Sequence, residues 1–210
     1  DNKPLRIDHF FEGAADGARP TAALVRGSDG YLYGTTGVFI TSDGLRDAAA
    51  TAGSIFRLNS YGTYEQVYSF QNTGTGAPVG PLLETSDGAL IGLTSGFSAW
   101  MTVENGVLFR IDRDGSNFRS LATFEQSARA QGIVTGPNGL FYGTTAADGD
   151  NGRGTLFRSD ANGNVTRLHS FTEAEDGPPL GPIIVSSDGS LLGATANTVY
   201  RATTDGEVTT

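Results

Sequence analysis

Four stretches of this chain repeat one another, and a repeat of this kind limits the fold more than any other property of the sequence. Tight-turn pairs recur at Asp29-Gly30, Asp87-Gly88, Asn138-Gly139 and Asp188-Gly189, at spacings of 58, 51 and 50 residues. Each is followed by an apolar triplet and a glycine: Tyr31-Leu32-Tyr33-Gly34, Ala89-Leu90-Ile91-Gly92, Leu140-Phe141-Tyr142-Gly143 and Ser190-Leu191-Leu192-Gly193. A second motif reads Ile55-Phe56-Arg57, Leu108-Phe109-Arg110, Leu156-Phe157-Arg158 and Val199-Tyr200-Arg201. A third closes on phenylalanine, from Val67 to Phe70, Leu121 to Phe124 and Leu168 to Phe171, with Ile7 to Phe10 as its counterpart at the start of the chain.

Each unit reads as four short strands, A to D, which in the first unit are Leu24 to Ser28, Tyr31 to Thr36, Ser54 to Asn59 and Glu65 to Phe70. The Asp-Gly and Asn-Gly pairs between A and B predict type I′ hairpin turns. No apolar pattern of helical period persists for three turns, and only Arg46 to Ala52 suits a short helix, inside a loop. A four-stranded meander cannot bury both of its faces alone, so its repetition predicts an all-β propeller of four four-stranded blades in a single domain, 1–210. The repeats fall at about 23–70, 81–124, 132–171 and 182–210, with an N-terminal strand at 5–10. A β-sandwich is the rival, but sandwich strands do not repeat in sequence this faithfully. The order D, then three full units, then A-B-C and a stub at Glu207 to Thr210 suits a ring closed by pairing of the two chain ends. Half of an eight-bladed ring made by two chains, or a fragment of a larger propeller, stays open beside it.

The repeats resemble the bacterial GloVer tandem repeats of choice-of-anchor surface proteins. In that pattern a Y-G-T-T stretch, a glycine-rich spacer, G-T-V-F with a basic residue, and a D-G turn follow in order. Gly143-Thr144-Thr145 through Gly154-Thr155-Leu156-Phe157-Arg158 matches it best, and the likeness covers nearly the whole chain. Gly92-Leu93-Thr94 and Gly193-Ala194-Thr195 depart from it, which argues against four equivalent binding sites. The resemblance implies a bacterial protein of the cell surface and names no chemistry.

Composition removes several function classes. There is no cysteine, so disulfides, thiolate metal sites and thiol nucleophiles are out. A net charge of −9 is the wrong sign for holding a phosphate backbone, so no nucleic-acid partner is expected. No apolar run is long enough to span a bilayer as a helix. The chain begins at Asp1 without methionine, which predicts a processed or trimmed product; a secreted or cell-surface location is expected beside the resemblance to surface proteins.

In a meander blade the A–B and C–D turns share one rim, while the B–C and D–A connections share the other. On the first rim nothing varies: the turn glycine precedes the strand-B glycine by four residues every time (30 to 34, 88 to 92, 139 to 143, 189 to 193). On the second, the B–C connections run from Gly37 to Ala52, Ser95 to Asn105, Ala146 to Arg153 and Ala196 alone, shrinking from sixteen residues to one. Unequal loops on a rigid scaffold are where binding residues collect, so this rim is the expected site.

Its chemistry is sparse. Phe39 and Arg46 in the first loop, Phe97 and the single Trp100 in the second, and Arg153 in the third are the candidate ligand-binding residues, because an aromatic in a polar loop stacks on a sugar ring or anchors a protein. Asp148-Gly149-Asp150-Asn151-Gly152 resembles the opening of a calcium loop, with Asp148 and Asp150 as ligands, but lacks the distal bidentate Glu. No other cofactor is indicated. Arg57, Arg110, Arg158 and Arg201 recur at one strand position and are read as structural partners of a nearby acid or carbonyl. His9 and His169 both fall on D strands, away from a central channel. The residues favour a binding module that recognises a glycan or a surface protein, as monomer or homodimer. A carbohydrate-active lyase or hydrolase at the same rim is the alternative, with paired loop carboxylates, or Tyr33 or Tyr142 beside Arg26, as its candidates.

Overall fold

Short apolar-rich segments separated by Asp-Gly or Asn-Gly turns form strands in every unit. The structure is a computed structural model that describes residues 8–11, 16, 18–20, 22–37, 53–70, 75–95, 105–125, 128–172 and 177–209. The first sheet holds β1 (Ala18–Pro20), β2 (Val25–Arg26), β3 (Leu32–Gly37), β4 (Ser54–Leu58) and β5 (Tyr64–Ser69). β1 and β2 both pair with β3, so they occupy the place of one interrupted strand A. The second sheet is β6 (Pro78–Glu84), β7 (Leu90–Thr94), β8 (Val107–Ile111) and β9 (Arg119–Thr123). The third is β10 (Ala130–Thr135), β11 (Phe141–Thr145), β12 (Thr155–Ser159) and β13 (Val165–Ser170). The fourth is β14 (Ile184–Val185), β15 (Leu191–Ala194), β16 (Val199–Ala202) and β17 (Val208–Thr209). All are antiparallel meanders, and the described residues contain no helix. Arg46 to Ala52 lies outside the described residues.

Registers align the four units residue by residue. Tyr33 pairs with Arg57, Ile91 with Arg110, Tyr142 with Arg158 and Leu192 with Arg201. Alternation then gives every sheet two apolar faces. One face of the first sheet, with Tyr33, Ile55 and Phe70, packs on Leu82, Leu90, Phe109 and Ile111 of the second. Ile91, Leu93, Leu108 and Phe124 of the second pack on Ile133, Phe141 and Phe157 of the third. Tyr142, Leu156 and Phe171 of the third pack on Ile183, Leu191 and Tyr200 of the fourth. Four sheets therefore enclose three cores, in sequence order, as successive propeller blades do.

The turns differ from expectation. In the A–B turns the glycine N–H bonds the carbonyl three residues back, as Gly30 to Gly27 at 3.0 Å and Gly88 to Thr85 at 2.9 Å. Only the glycine has positive φ (Gly30 at 87°, Gly88 at 85°, Gly139 at 75°, Gly189 at 83°), whereas a type I′ turn needs two such residues. These are three-residue loops ending in a bulged glycine. The Asp or Asn before it accepts an N–H two residues on, as Asp29 Oδ1 does from Tyr31 at 3.1 Å and Asn138 Oδ1 from Leu140 at 3.2 Å.

Closure by pairing of the chain ends is likewise not what the described residues form. The fourth strand of the last sheet is β17, which pairs Thr209 with Arg201 and Val208 with Ala202. Residues 8–10 of the expected strand 5–10 form no strand, and 5–7 lie outside the described residues. His9 and Phe11 lie instead against the first sheet, His9 stacked on Tyr64 at 3.8 Å and Phe11 against Phe56 at 5.1 Å. The repeat's closing phenylalanine at the chain start is Phe11; Phe10 is 71% exposed.

Sheet-to-sheet contact reaches the turns. A Cβ on Gly115 would overlap the Val67 carbonyl of the sheet before it, and Gly163 and Gly206 approach Leu121 and Leu168 in the same way. Gly139 has positive φ too but faces open space. Gly139→Ala is expected to cost about 1 kcal/mol through backbone strain, and Gly115→Ala roughly 3 kcal/mol through strain plus overlap. Urea unfolding of the two variants decides this, and equal losses would show that the turn does not seat on the neighbouring sheet.

Candidate functional site

The irregular rim is built by the connections 38–53, 95–106, 146–154 and 195–198, which leave the sheets at the same end as the β5–β6, β9–β10 and β13–β14 connections. A repeated bond pins this end: the N–H of Phe70, Phe124 and Phe171 donates to the carbonyl of Gly53, Gly106 and Gly154 at 2.9, 2.8 and 3.0 Å. The loops thus spring from fixed roots. Phe39, Arg46, Phe97 and Trp100 lie outside the described residues. Arg153, Asp148 and Asp150 lie within them, on the third loop.

That loop is tied down to its own sheet. Asp150 meets the Arg167 guanidinium at 2.8 Å and accepts the Ser170 hydroxyl at 3.3 Å. Asn151 donates to the Phe171 carbonyl at 3.4 Å, and Arg153 is half-buried and engaged. Burial pushes the Asp148 carboxyl above the usual range. Among the described residues no three His, Asp or Glu side chains converge as metal ligands. With so few donors, EDTA is expected to leave the melting temperature unchanged; a fall of several degrees would put an ion on Asp148 and Asp150.

The strand-C arginines occupy the regular rim, each beside an acid. Arg57 pairs with Glu65 at 2.8 Å, Arg110 with Asp87 at 2.6 Å, Arg201 with Asp188 at 2.7 Å and Arg158 with Asp205 at 3.8 Å. Arg57 also donates to the Arg113 carbonyl of the next sheet at 3.3 Å. Bonds from Arg110 and Thr85 hold Asp87 well below the usual carboxylate range. The Ser190 hydroxyl and N–H, with Arg201 nearby, hold Asp188 at about 2.

Sequence reasoning missed Arg113, which reaches Glu84 at 3.1 Å, Ser28 at 3.0 Å and Asp29 at 3.5 Å, joining two sheets at this rim. Burial opposes ionisation of Asp29, yet bonds from the Tyr33 hydroxyl and Tyr31 N–H, with Arg113 beside it, hold its carboxyl below the usual range. Nothing in a single repeat marks Arg113, because two of its three partners, Ser28 and Asp29, belong to the preceding unit.

Tyr33 and Tyr142 are fully buried between sheets, their hydroxyls bonded to Asp29 at 2.7 Å and to Asn138 at 2.9 Å. Neither is displayed as a base. Burial, then the Asp29 bond, pushes Tyr33 up to about 12, and burial does the same for Tyr64. The folded state favours their neutral forms, so this stabilisation is whole below pH 10 and is lost as pH rises through about 12. Melting temperature should fall over that window, and Tyr33→Phe should flatten the fall; an unchanged slope would remove Tyr33 as its cause.

Outside this rim, His9 Nε2 lies 2.8 Å from Asp16 Oδ2, and the Tyr64 hydroxyl donates to the Asp16 carbonyl at 3.2 Å. Beside them a cavity of about 250 Å³ is lined by His9, Phe11, Pro20, Leu24, Phe56 and Leu58 on the outer face of the first sheet. His169 lies on the outermost strand of its sheet, as expected.

The family model described as Gloeobacter/Verrucomicrobia repeat matches residues 1–208. No curated protein matches the chain. Similar solved structures include a catalytically inactive virginiamycin B lyase from Staphylococcus aureus with quinupristin, at 19% identity and TM-score 0.62 over 91% of this chain and 54% of that one. A chain of the nidogen/laminin complex matches at 19% and 0.61, over 90% and 63%. The extracellular domain of a hybrid two-component system from B. thetaiotaomicron matches at 10% and 0.59, over 94% and 24%. These are propeller-like folds, and at such identities the likeness establishes the fold alone. The chain spans between about a quarter and two thirds of their lengths. Among the described residues no helix is long and apolar enough to cross a membrane.

Proposed function

We propose that this chain, which belongs to the Gloeobacter/Verrucomicrobia repeat family, serves as a binding module, secreted or at the cell surface, that recognises a glycan or a surface protein through its irregular rim. The contrast between the two rims carries this reading. On the regular rim the turns repeat and the strand-C arginines sit beside acids, so that rim's charges are spent on structure. On the other, bonds repeated from sheet to sheet fix the roots of loops whose length and composition follow no repeat. A scaffold of that kind holds variable loops in place at little cost in stability. Phe39, Arg46, Phe97, Trp100 and Arg153 are the residues proposed to meet the ligand, with Trp100 stacking on an apolar sugar face or seating in a partner. Similarity to an extracellular domain is compatible with this placement.

Glycan and protein arrays probed with the chain test the reading. Trp100→Ala is expected to weaken capture about tenfold or more, as loss of a buried aromatic anchor does, with the melting temperature unchanged. Unaltered affinity would remove Trp100 from the site. Incubation with the captured glycans is expected to release neither unsaturated products nor new reducing ends; release of either would establish a lyase or hydrolase instead.

A further inference from the structure

Three cores for four sheets leave, among the described residues, two sheet faces without a sheet against them, and the repeat registers identify what each face lacks. On the first sheet, Leu24 occupies the position of Leu82, Ile133 and Ile183; those are 1%, 0% and 1% exposed, and Leu24 is 45% exposed. On the fourth sheet, Val199 occupies the position of Ile55, Leu108 and Leu156, all 0% exposed, and is itself 74% exposed. Ile184, on the same face of that sheet, is 60% exposed. The two faces are complementary halves of the same repeated interface.

The segment 8–11 supplies a second, independent sign. Within the stack, the phenylalanine closing each strand D packs on the strand-C aromatic of the next sheet: Phe70 on Phe109 at 5.3 Å, Phe124 on Phe157 at 5.1 Å, Phe171 on Tyr200 at 5.1 Å. Phe11 makes the same contact with Phe56 at 5.1 Å. Two residues earlier, His9 meets Phe11 edge-on at 4.7 Å and 86°, as His169 meets Phe171 at 4.8 Å and 81°. His9 stacks on Tyr64 at 6°, as Tyr68 stacks on Phe118 at 5°. Residues 8–11 are thus seated as the end of an outer strand whose own sheet is not beside them among the described residues. The repeat gives such a strand its place on the fourth sheet: in the third sheet β13 sets His169 opposite Leu156 and Ser170 opposite Thr155, and the positions of Leu156 and Thr155 are held in the fourth by Val199 and Thr198, while β17 pairs with Arg201 and Ala202 of β16. Between the first and fourth sheets of one chain the described residues form no interface like the three internal ones.

We infer that a second copy of this chain covers both faces. The fourth sheet of one copy stacks on the first sheet of the other, and residues 8–11 of that other copy extend strand D along β16 beside Val199. Two such contacts close a ring of eight sheets, within the four to eight blades usual for propellers. The interface continues the internal stack with the same residue types at the same positions, which is why the chain's own copy is the occupant. The cavities on the first sheet, one of about 250 Å³ by Leu24 and Phe56 and one of about 340 Å³ by Leu32, Leu58 and Gly62, lie on the face that the fourth sheet would cover.

Light scattering behind size exclusion should give the 210-residue chain twice its 21.9 kDa. A monomer mass, or one beyond two chains, overturns the inference. Val199→Asp should shift the mass to one chain, and a variant that stays dimeric would place the contact elsewhere. A cysteine pair locates the strand: Phe10 and Thr198 correspond to Ser170 and Thr155, which face each other across β12 and β13, within disulfide reach for opposed antiparallel residues. In a chain without other cysteine, Phe10→Cys with Thr198→Cys should oxidise to a covalent two-chain species. A disulfide within one chain would mean that the chain closes on itself, and no disulfide would mean that the strand is not shared; either result rejects the proposal.

Discussion

Burial of one sheet's face by the next is the interaction on which the rest of this molecule depends. Each meander is apolar on both sides, and a sheet of four or five short strands cannot stand in water with Tyr33 and Ile55 on one face and Leu24, Phe56 and Leu58 on the other. Fully burying a side chain of this size stabilises by about 2 kcal/mol, and each inter-sheet core gathers seven to nine buried residues. No single sheet provides that. Stability therefore belongs to interfaces between neighbours, and it follows that the faces at the two ends of the stack must find cover or remain a liability.

The same constraint separates the two rims. Where the C–D turn presses on the preceding sheet, the chain must approach so closely that Gly115, Gly163 and Gly206 have no room for a side chain. Turn length and type are then fixed, and the charges there serve geometry. Arg113 illustrates this: with its contacts to Ser28, Asp29 and Glu84 it holds two sheets at one spacing. At the opposite rim the closing phenylalanines anchor the loop roots, and the loops between those roots differ in length from unit to unit.

Much of this was legible in the sequence. The meander order of the four units and the pairing of Arg110 and Arg201 with turn acids follow from periodicity and local spacing, whereas β1 (Ala18–Pro20) lies ahead of the first repeat as the sequence placed it. The turn type did not, because Asp-Gly and Asn-Gly serve both two-residue and bulged three-residue loops, and the choice depends on how the flanking strands twist. The alignment of the chain start also slipped by one. Phe10 and Phe11 adjoin, and only contact with Phe56 shows which closes the repeat. The candidate loop residues other than Arg153, Asp148 and Asp150 lie outside the described residues. The apolar cavity of the first sheet has no sequence signature of its own, since its lining is the ordinary core residues of a repeat.

The amino-acid pattern by itself determined that this chain makes four copies of one antiparallel sheet, each apolar on two faces, because period-two alternation and turn residues act over a few neighbours. Only the tertiary structure decided which of those faces are covered, since burial is settled between units some fifty residues apart. Leu24 and Leu82, or Val199 and Leu156, are interchangeable in a sequence repeat. What separates them is whether another sheet lies against them, and no local rule carries that information.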